Sequence, residues 1–115
     1  MTSLAIDPAR YAELQDTAGA DFVGELVDTF LQEAPGMLAE LRAARAATDA
    51  DRFRRAAHSL KSNSHTFGAL ALGALARDME LTGMSADAAQ DAARLYALEA
   101  EYARAAAALM ALRHG

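Results

Sequence analysis

The stretch Ala57-His58-Ser59-Leu60-Lys61-Ser62-Asn63-Ser64-His65-Thr66-Phe67-Gly68 holds the residues of this chain best suited to chemistry. A histidine is followed by a lysine three residues on and by a glycine ten residues on. Lys61 is the only lysine, and the other ten basic residues are arginine. A histidine with a cation one turn away is useful where it carries or meets an anion. Unperturbed imidazole titrates near pH ~6.5, so at neutral pH most of it is neutral and nucleophilic. A ring nitrogen can attack phosphorus without a separate base, provided the other nitrogen has an acceptor that holds one tautomer. That acceptor is expected from a neighbouring helix.

Placing residues 49–67 on a wheel at about 100° per residue puts Phe53, Ala57, Leu60, Ser64 and Phe67 on one stripe, with Ala56 beside them. His58 lies roughly 150° from the centre of that stripe. Arg54, Arg55, Ser62 and His65 share its side, and Lys61 flanks it. The histidine therefore faces away from the core. Ser62, one turn beyond, is small enough to leave the ring accessible. Arg54, Arg55 and Lys61 supply positive charge with no carboxylate interleaved among them, a setting in which a phosphoryl group could sit on an imidazole nitrogen.

The elements that must position this stretch read as helices throughout. Asp7-Pro8 is a cap followed by proline at the first helical position, opening a short helix to about Asp16 that stops near Gly19. Asp21 is the next expected cap. Val23, Val27, Phe30, Ala34, Met37, Leu38 and Leu41 then recur at helical spacing to about Ala47. Pro35 predicts a kink or short break in that segment. Thr48-Asp49-Ala50-Asp51 resembles a capping box for the His58 helix, which should reach Phe67 and end at Gly68. A further helix spans about 69–81, with Leu72, Leu75, Ala76 and Met79 on one side. After a turn at Gly83-Met84-Ser85, Ser85 or Asp87 caps a last helix to about Arg113, striped by Leu95, Leu98, Tyr102, Ala105, Leu109 and Leu112. Short connections imply antiparallel neighbours. The expected fold is all-α: an antiparallel up-down four-helix bundle with an additional short N-terminal helix. It forms one domain over residues 1–115, with the bundle core at about 20–113.

Composition agrees. Hydrophobic residues are 53% of the chain and prolines number only two, which favours packed helices over strands. The absence of cysteine excludes disulfides and thiolate chemistry. No signal peptide and no apolar run of the ~20 residues needed to span a membrane is evident, so a soluble, cytoplasmic protein is expected. The net charge of −5 argues against general nucleic-acid binding. His58 and His65, two turns apart, are weak evidence for a metal, and none is expected. No glycine-rich nucleotide loop is present, so self-phosphorylation from ATP is not expected.

The stretch resembles the site of the histidine-containing phosphotransfer (Hpt) domains of two-component phosphorelays, which reads His-x-Leu-Lys-(Gly/Ser)-x-Ser with a glycine ten residues after the histidine. Here it is His58-Ser59-Leu60-Lys61-Ser62-Asn63-Ser64, then Thr66-Phe67-Gly68-Ala69. Leu72, Leu75 and Met79-Glu80 fit the following helix, and Phe30-Leu31-Gln32-Glu33-Ala34-Pro35 with Leu38 and Leu41 fits the preceding one. The resemblance covers roughly residues 20–112. It implies His58 as phosphoacceptor, Lys61 neutralising phosphoryl oxygens, Ser62 at a position that is often glycine, and Gly68 ending the helix or letting two helices approach. Glu80, twenty-two residues after His58, is expected to accept the Nδ1 hydrogen and leave Nε2 for the phosphate. The alternative for Glu80 is a surface carboxylate paired with Arg77 or Arg55. Arg77 is a lesser candidate to face the phosphate, and His65 departs from a position that is commonly small.

The resemblance implies a monomeric phosphoryl carrier more than an enzyme. Its partners would be response-regulator receiver domains and a sensor (hybrid) histidine kinase, with any Mg2+ bound on the receiver and no cofactor of its own. Docking is expected around His58, with Tyr11, Leu14, Phe22 and Leu26 as apolar contacts or as core. Two alternatives stay open: a bundle whose histidine is never phosphorylated, and a phosphoacceptor fed directly by a kinase catalytic domain.

Overall fold

The structure, a computed structural model, describes residues 4–114. Five α-helices follow in order: α1 (Pro8–Ala18), α2 (Ala20–Ala46), α3 (Ala50–Thr66), α4 (Leu70–Thr82) and α5 (Ala88–His114). No strand occurs among the described residues. α3 packs on both α2 and α4, and α5 packs on both α2 and α4, so these four helices enclose the core while α1 lies on α2. The expected stripes supply that core. Val23, Val27, Phe30, Ala34 and Leu41 of α2 meet Phe53, Ala57 and Leu60 of α3, Leu72, Ala76 and Met79 of α4, and Leu95, Leu98, Ala105 and Leu109 of α5 in one buried cluster. Leu112 departs from the expected stripe: it is exposed.

Two turns fix how α3 sits between its neighbours, and both share one geometry. At the α3–α4 turn, Gly68 adopts a positive φ of 78°. Its N–H donates to His65 O at 3.1 Å and the Ala69 N–H to Ser64 O at 2.9 Å, the paired bonds of a Schellman cap. Gly68 also receives the start of α1, since its carbonyl accepts from Asp7 N–H at 2.8 Å. A Cβ at position 68 would lie 2.8 Å from Arg10 Cβ. At the α2–α3 turn, the Thr48 N–H donates to Arg45 O and the Asp49 N–H to Ala44 O in the same pattern, with Thr48 at φ 54°. Here a β-branched residue occupies a conformation that glycine suits.

This geometry corrects the expected capping box. Asp49, not Thr48, caps α3, with its Oδ1 accepting from Arg52 N–H at 3.1 Å. Asp21 likewise does not cap α2, which begins after Gly19 with no side-chain cap. Nor does Pro35 break α2: the helix is continuous across it. The buried face runs through Phe30, Ala34, Leu38 and Leu41 on both sides of the proline, which is itself exposed. That burial outweighs the roughly 3 kcal/mol that an internal proline costs a helix. At the head of α5 both expected residues act: Asp87 Oδ1 accepts from Ala89 N–H, and Ser85 Oγ accepts from Asp87 N–H.

One charged knot had no counterpart in the sequence reading. Asp91 is fully buried. Its Oδ1 accepts from Arg94 Nη1 at 2.9 Å and its Oδ2 from Ser85 N–H at 2.9 Å. Arg45 Nε of α2 lies 2.7 Å from Oδ2 as an ion contact without hydrogen-bond alignment. Arg94 also donates to Gly83 O and Thr82 Oγ1, so α2, α5 and the α4–α5 connection converge on one carboxylate.

Opposite substitutions at the two turns should have opposite effects. Gly68→Ala is expected to lower unfolding stability by about 1–3 kcal/mol, from positive-φ strain and the clash with Arg10. Thr48→Gly is expected to raise it by about 1 kcal/mol. Urea denaturation of the two variants against the parent chain measures both.

Candidate functional site

α3 presents His58 outward, as the wheel requires: Ala57 and Leu60 on either side of it are fully buried, while 58% of the His58 side chain remains exposed. α4 runs alongside and brings Glu80 to it. Glu80 Oε2 lies 2.6 Å from His58 Nδ1, and Glu80 Oε1 lies 2.8 Å from Lys61 Nζ. One carboxylate thus holds both residues, one on each oxygen. Glu80 is not paired with Arg77 or Arg55.

The charge on Glu80 decides the state of the ring. The Lys61 hydrogen bond is the main cause that holds the Glu80 carboxyl below its ordinary value; the His58 hydrogen bond and the charges of both partners act the same way, against partial desolvation that raises it. At neutral pH Glu80 is a carboxylate, which can only accept. The proton in the 2.6 Å contact therefore belongs to Nδ1. In the neutral ring this leaves the Nε2 lone pair free, directed away from the carboxylate.

His58 opens onto a groove of about 520 Å³ lined by Asp51, Arg54, Arg55, Ser59 and Glu80. Carboxylates join the cations there: Asp51, two turns before His58 on α3, and Glu80, from α4, both line the groove. A second groove of about 660 Å³ lies between α2 and α3, and Arg55 and Ser59 line both. Ser62 is exposed one turn beyond His58. Its carbonyl accepts from Thr66 Oγ1 at 3.0 Å, as Leu60 O accepts from Ser64 Oγ at 2.6 Å, so the hydroxyls of the last turns fold back onto their own helix.

Comparison with known proteins decides what this arrangement belongs to. The Hpt domain model matches residues 25–108. This chain belongs to the Hpt domain family. It is similar to a solved structure, the histidine-containing phosphotransfer protein B (HptB) of Pseudomonas aeruginosa PAO1. That likeness has 27% identity and a TM-score of 0.84, covering 98% of this chain and 97% of that one. Among curated proteins no sequence matches significantly. The protein is thus a helical Hpt domain with a histidine phosphotransfer role of the kind used in two-component phosphorelays, a carrier rather than a catalyst.

The other residues named from the sequence lie farther from His58. Gly68 ends α3, one of the two roles expected of it, some ten residues past His58, about 15 Å along the helix axis, and it meets Asp7 and Arg10 at the start of α1. Arg77 is exposed and does not line the His58 groove. His65 lies across Gly73 of α4, where a Cβ would fall 2.4 Å from its Cδ2, and it lines a shallow cleft with Arg10, Glu13 and Leu14. It is a packing residue at the α3–α4 contact as well as a surface one. Among the described residues no group of three or more His, Cys, Asp or Glu is placed to hold a metal ion. Of the apolar docking candidates, Tyr11 belongs to the core, and burial pushes its hydroxyl pKa up. Leu14 and Leu26 are half-buried against the core, and Phe22 alone is well exposed. None of the four lines either groove beside His58. No helix among the described residues is long and apolar enough to cross a membrane.

The sign of the Glu80 perturbation sets a pH window. A carboxyl with a lowered folded value stabilises the folded state above its ordinary value, and that contribution is lost as pH falls through the lowered one. The Glu80 side-chain carbon should therefore titrate by NMR with a midpoint below 4.5. Lys61→Ala should move the midpoint upward, because it removes the principal cause.

Proposed function

We propose that His58 is the phosphoacceptor of a phosphorelay intermediate. It takes a phosphoryl group from the phospho-aspartate of a receiver domain, free or within a hybrid sensor kinase, and passes it to the receiver of another response regulator. The observation that supports this reading best is the 2.6 Å contact of His58 Nδ1 with Glu80, on a ring whose other nitrogen faces an open groove. The Nε2 lone pair attacks phosphorus in line. The N–P bond forms as the P–O bond to the partner's carboxylate breaks, and that carboxylate leaves with the electron pair. The Nδ1 proton stays in its bond to Glu80, whose negative charge balances the positive charge that the ring acquires. A Mg2+ ion on the receiver would supply charge stabilisation to the transferring group, and this domain brings no cofactor of its own. The reverse sequence reloads a receiver, so one exposed nucleophile serves both directions.

Glu80 orients the ring, and Lys61 holds the second oxygen of Glu80. Ser62, small and exposed, leaves the approach to His58 open. Gly68 ends α3 and so fixes where α4 begins. The domain acts as a monomer that meets its partners weakly and transiently, as a carrier must. The acidic residue at position 80 also suits a second reading, in which a kinase catalytic domain phosphorylates His58 directly.

Incubation with a phosphorylated receiver domain separates these readings. The expected result is an acid-labile, alkali-stable label on the wild-type chain that is lost in His58→Gln. Label undiminished in His58→Gln, or no label from any cognate receiver, removes the carrier reading. Labelling only by ATP with a separate kinase catalytic domain favours the direct route.

A further inference from the structure

We infer that Arg54 and Arg55, rather than Lys61, are the cations that meet the phosphoryl group on His58; this rests on His58 as phosphoacceptor. Lys61 has another engagement. Its ammonium is 2.8 Å from Glu80 Oε1, it is only 23% exposed, and it is absent from the lining of the groove onto which His58 opens. A lysine held on a carboxylate acts on that carboxylate first, and to reach the phosphoryl oxygens it would have to leave that contact. Lys61 is thus a positioning residue, acting on the ring through Glu80.

The arginines are placed differently. They precede His58 by four and three residues, so they are its neighbours on the N-terminal side of the same helical face. Side chains on a helix lean toward its N-terminus, which carries the imidazole over these two positions. Both line the groove with His58. Neither guanidinium is ion-paired among the described residues: Arg55 Nε donates only to the Asp51 backbone carbonyl, at 3.3 Å, and Asp51 is the one other acid in the groove besides Glu80. Nδ1 is turned to Glu80, so Nε2 and anything bonded to it face the open side. A phosphoryl group there carries up to two negative charges, and guanidinium forks match its oxygens in geometry as well as charge. The site then divides into two parts. Glu80 and Lys61 set the ring, and Arg54 and Arg55 hold what the ring carries. When the N–P bond forms, the phosphoryl oxygens come to lie against these guanidiniums while the Nδ1 proton stays with Glu80.

Phosphoramidate, a small phosphoryl donor that labels imidazole without any protein partner, tests this directly. The label on His58 is followed by 31P NMR through the second ionisation of the phosphoryl group. Arg54→Gln and Arg55→Gln are each expected to shift that ionisation upward by on the order of half a pH unit, since each removes a neighbouring positive charge. Both should slow labelling while leaving the 15N signature of the His58 tautomer unchanged. Lys61→Ala should do the reverse, moving the ring-nitrogen signals and leaving the phosphoryl titration in place. A phosphoryl titration unmoved in the Arg54→Gln, Arg55→Gln double variant, or moved by Lys61→Ala alone, overturns the assignment. A wild-type chain labelled by phosphoramidate but by no phosphorylated receiver would fail the relay reading and still report which cations face the phosphoryl group.

Discussion

The Glu80 carboxylate is the point on which the site depends. It reaches across from α4, accepts from His58 on one oxygen and takes Lys61 on the other. Because Glu80 is a carboxylate and can only accept, the imidazole must offer Nδ1–H, and the nucleophilic nitrogen is then the one that faces solvent. Three properties of the site follow from one interhelical contact: ring orientation, proton location and the engagement of the lysine. That contact needs α3 and α4 in a single register. A slip of one turn, about 5.4 Å, would part the carboxylate from both partners.

The polar pair does not set that register. An ion pair near the surface is worth on the order of 1 kcal/mol, whereas each fully buried large aliphatic side chain is worth about 1.5–3 kcal/mol. Ala57 and Leu60 from α3 and Leu72, Ala76 and Met79 from α4 share one buried cluster, and their summed burial fixes how the helices mesh. Gly73 lets the imidazole of His65 lie directly on the α4 backbone. At the end of α3, Phe67 stacks at a tilt on Phe30, ring centroids 5.3 Å apart, and Phe30 meets Tyr102 of α5 edge-on at 6.0 Å. The aromatic chain ties α3 to α2 and α5, and the Asp91 knot ties the α4–α5 connection to α2. The hydrogen bonds at His58 are read out from a frame that hydrophobic packing has already built.

What the sequence disclosed follows the same division. Period and stripe revealed the helices, their buried faces and the outward direction of His58, because these depend on local spacing. The Glu80 contact was reachable only through the family pattern, since nothing in spacing tells which α4 residue lies beside which α3 residue. The engagement of Lys61 stayed hidden for the same reason: a lysine one turn from a histidine looks available until a carboxylate from another helix is placed beside it. Asp91 carried no signal in local spacing, and its burial is made tolerable by Arg94, the Ser85 N–H and Arg45 arriving from α2. Thr48 and Pro35 misled in opposite senses. Local preference assigned the cap to a threonine that the backbone turns left-handed, and it broke a helix that tertiary packing keeps whole.

The separation between His58 and Glu80 is only 22 positions, and Lys61 lies between them. Both partners of the contact sit on one helical hairpin closed by Gly68, so the reacting geometry spans a short stretch of chain. The helices that contribute no contact to the shared carboxylate, α1, α2 and α5, add burial to the core on which that hairpin rests. Chemistry in this domain is encoded over a short reach of chain and stability over a long one, which leaves the outer helices free to diverge in sequence without disturbing the nitrogen that does the work.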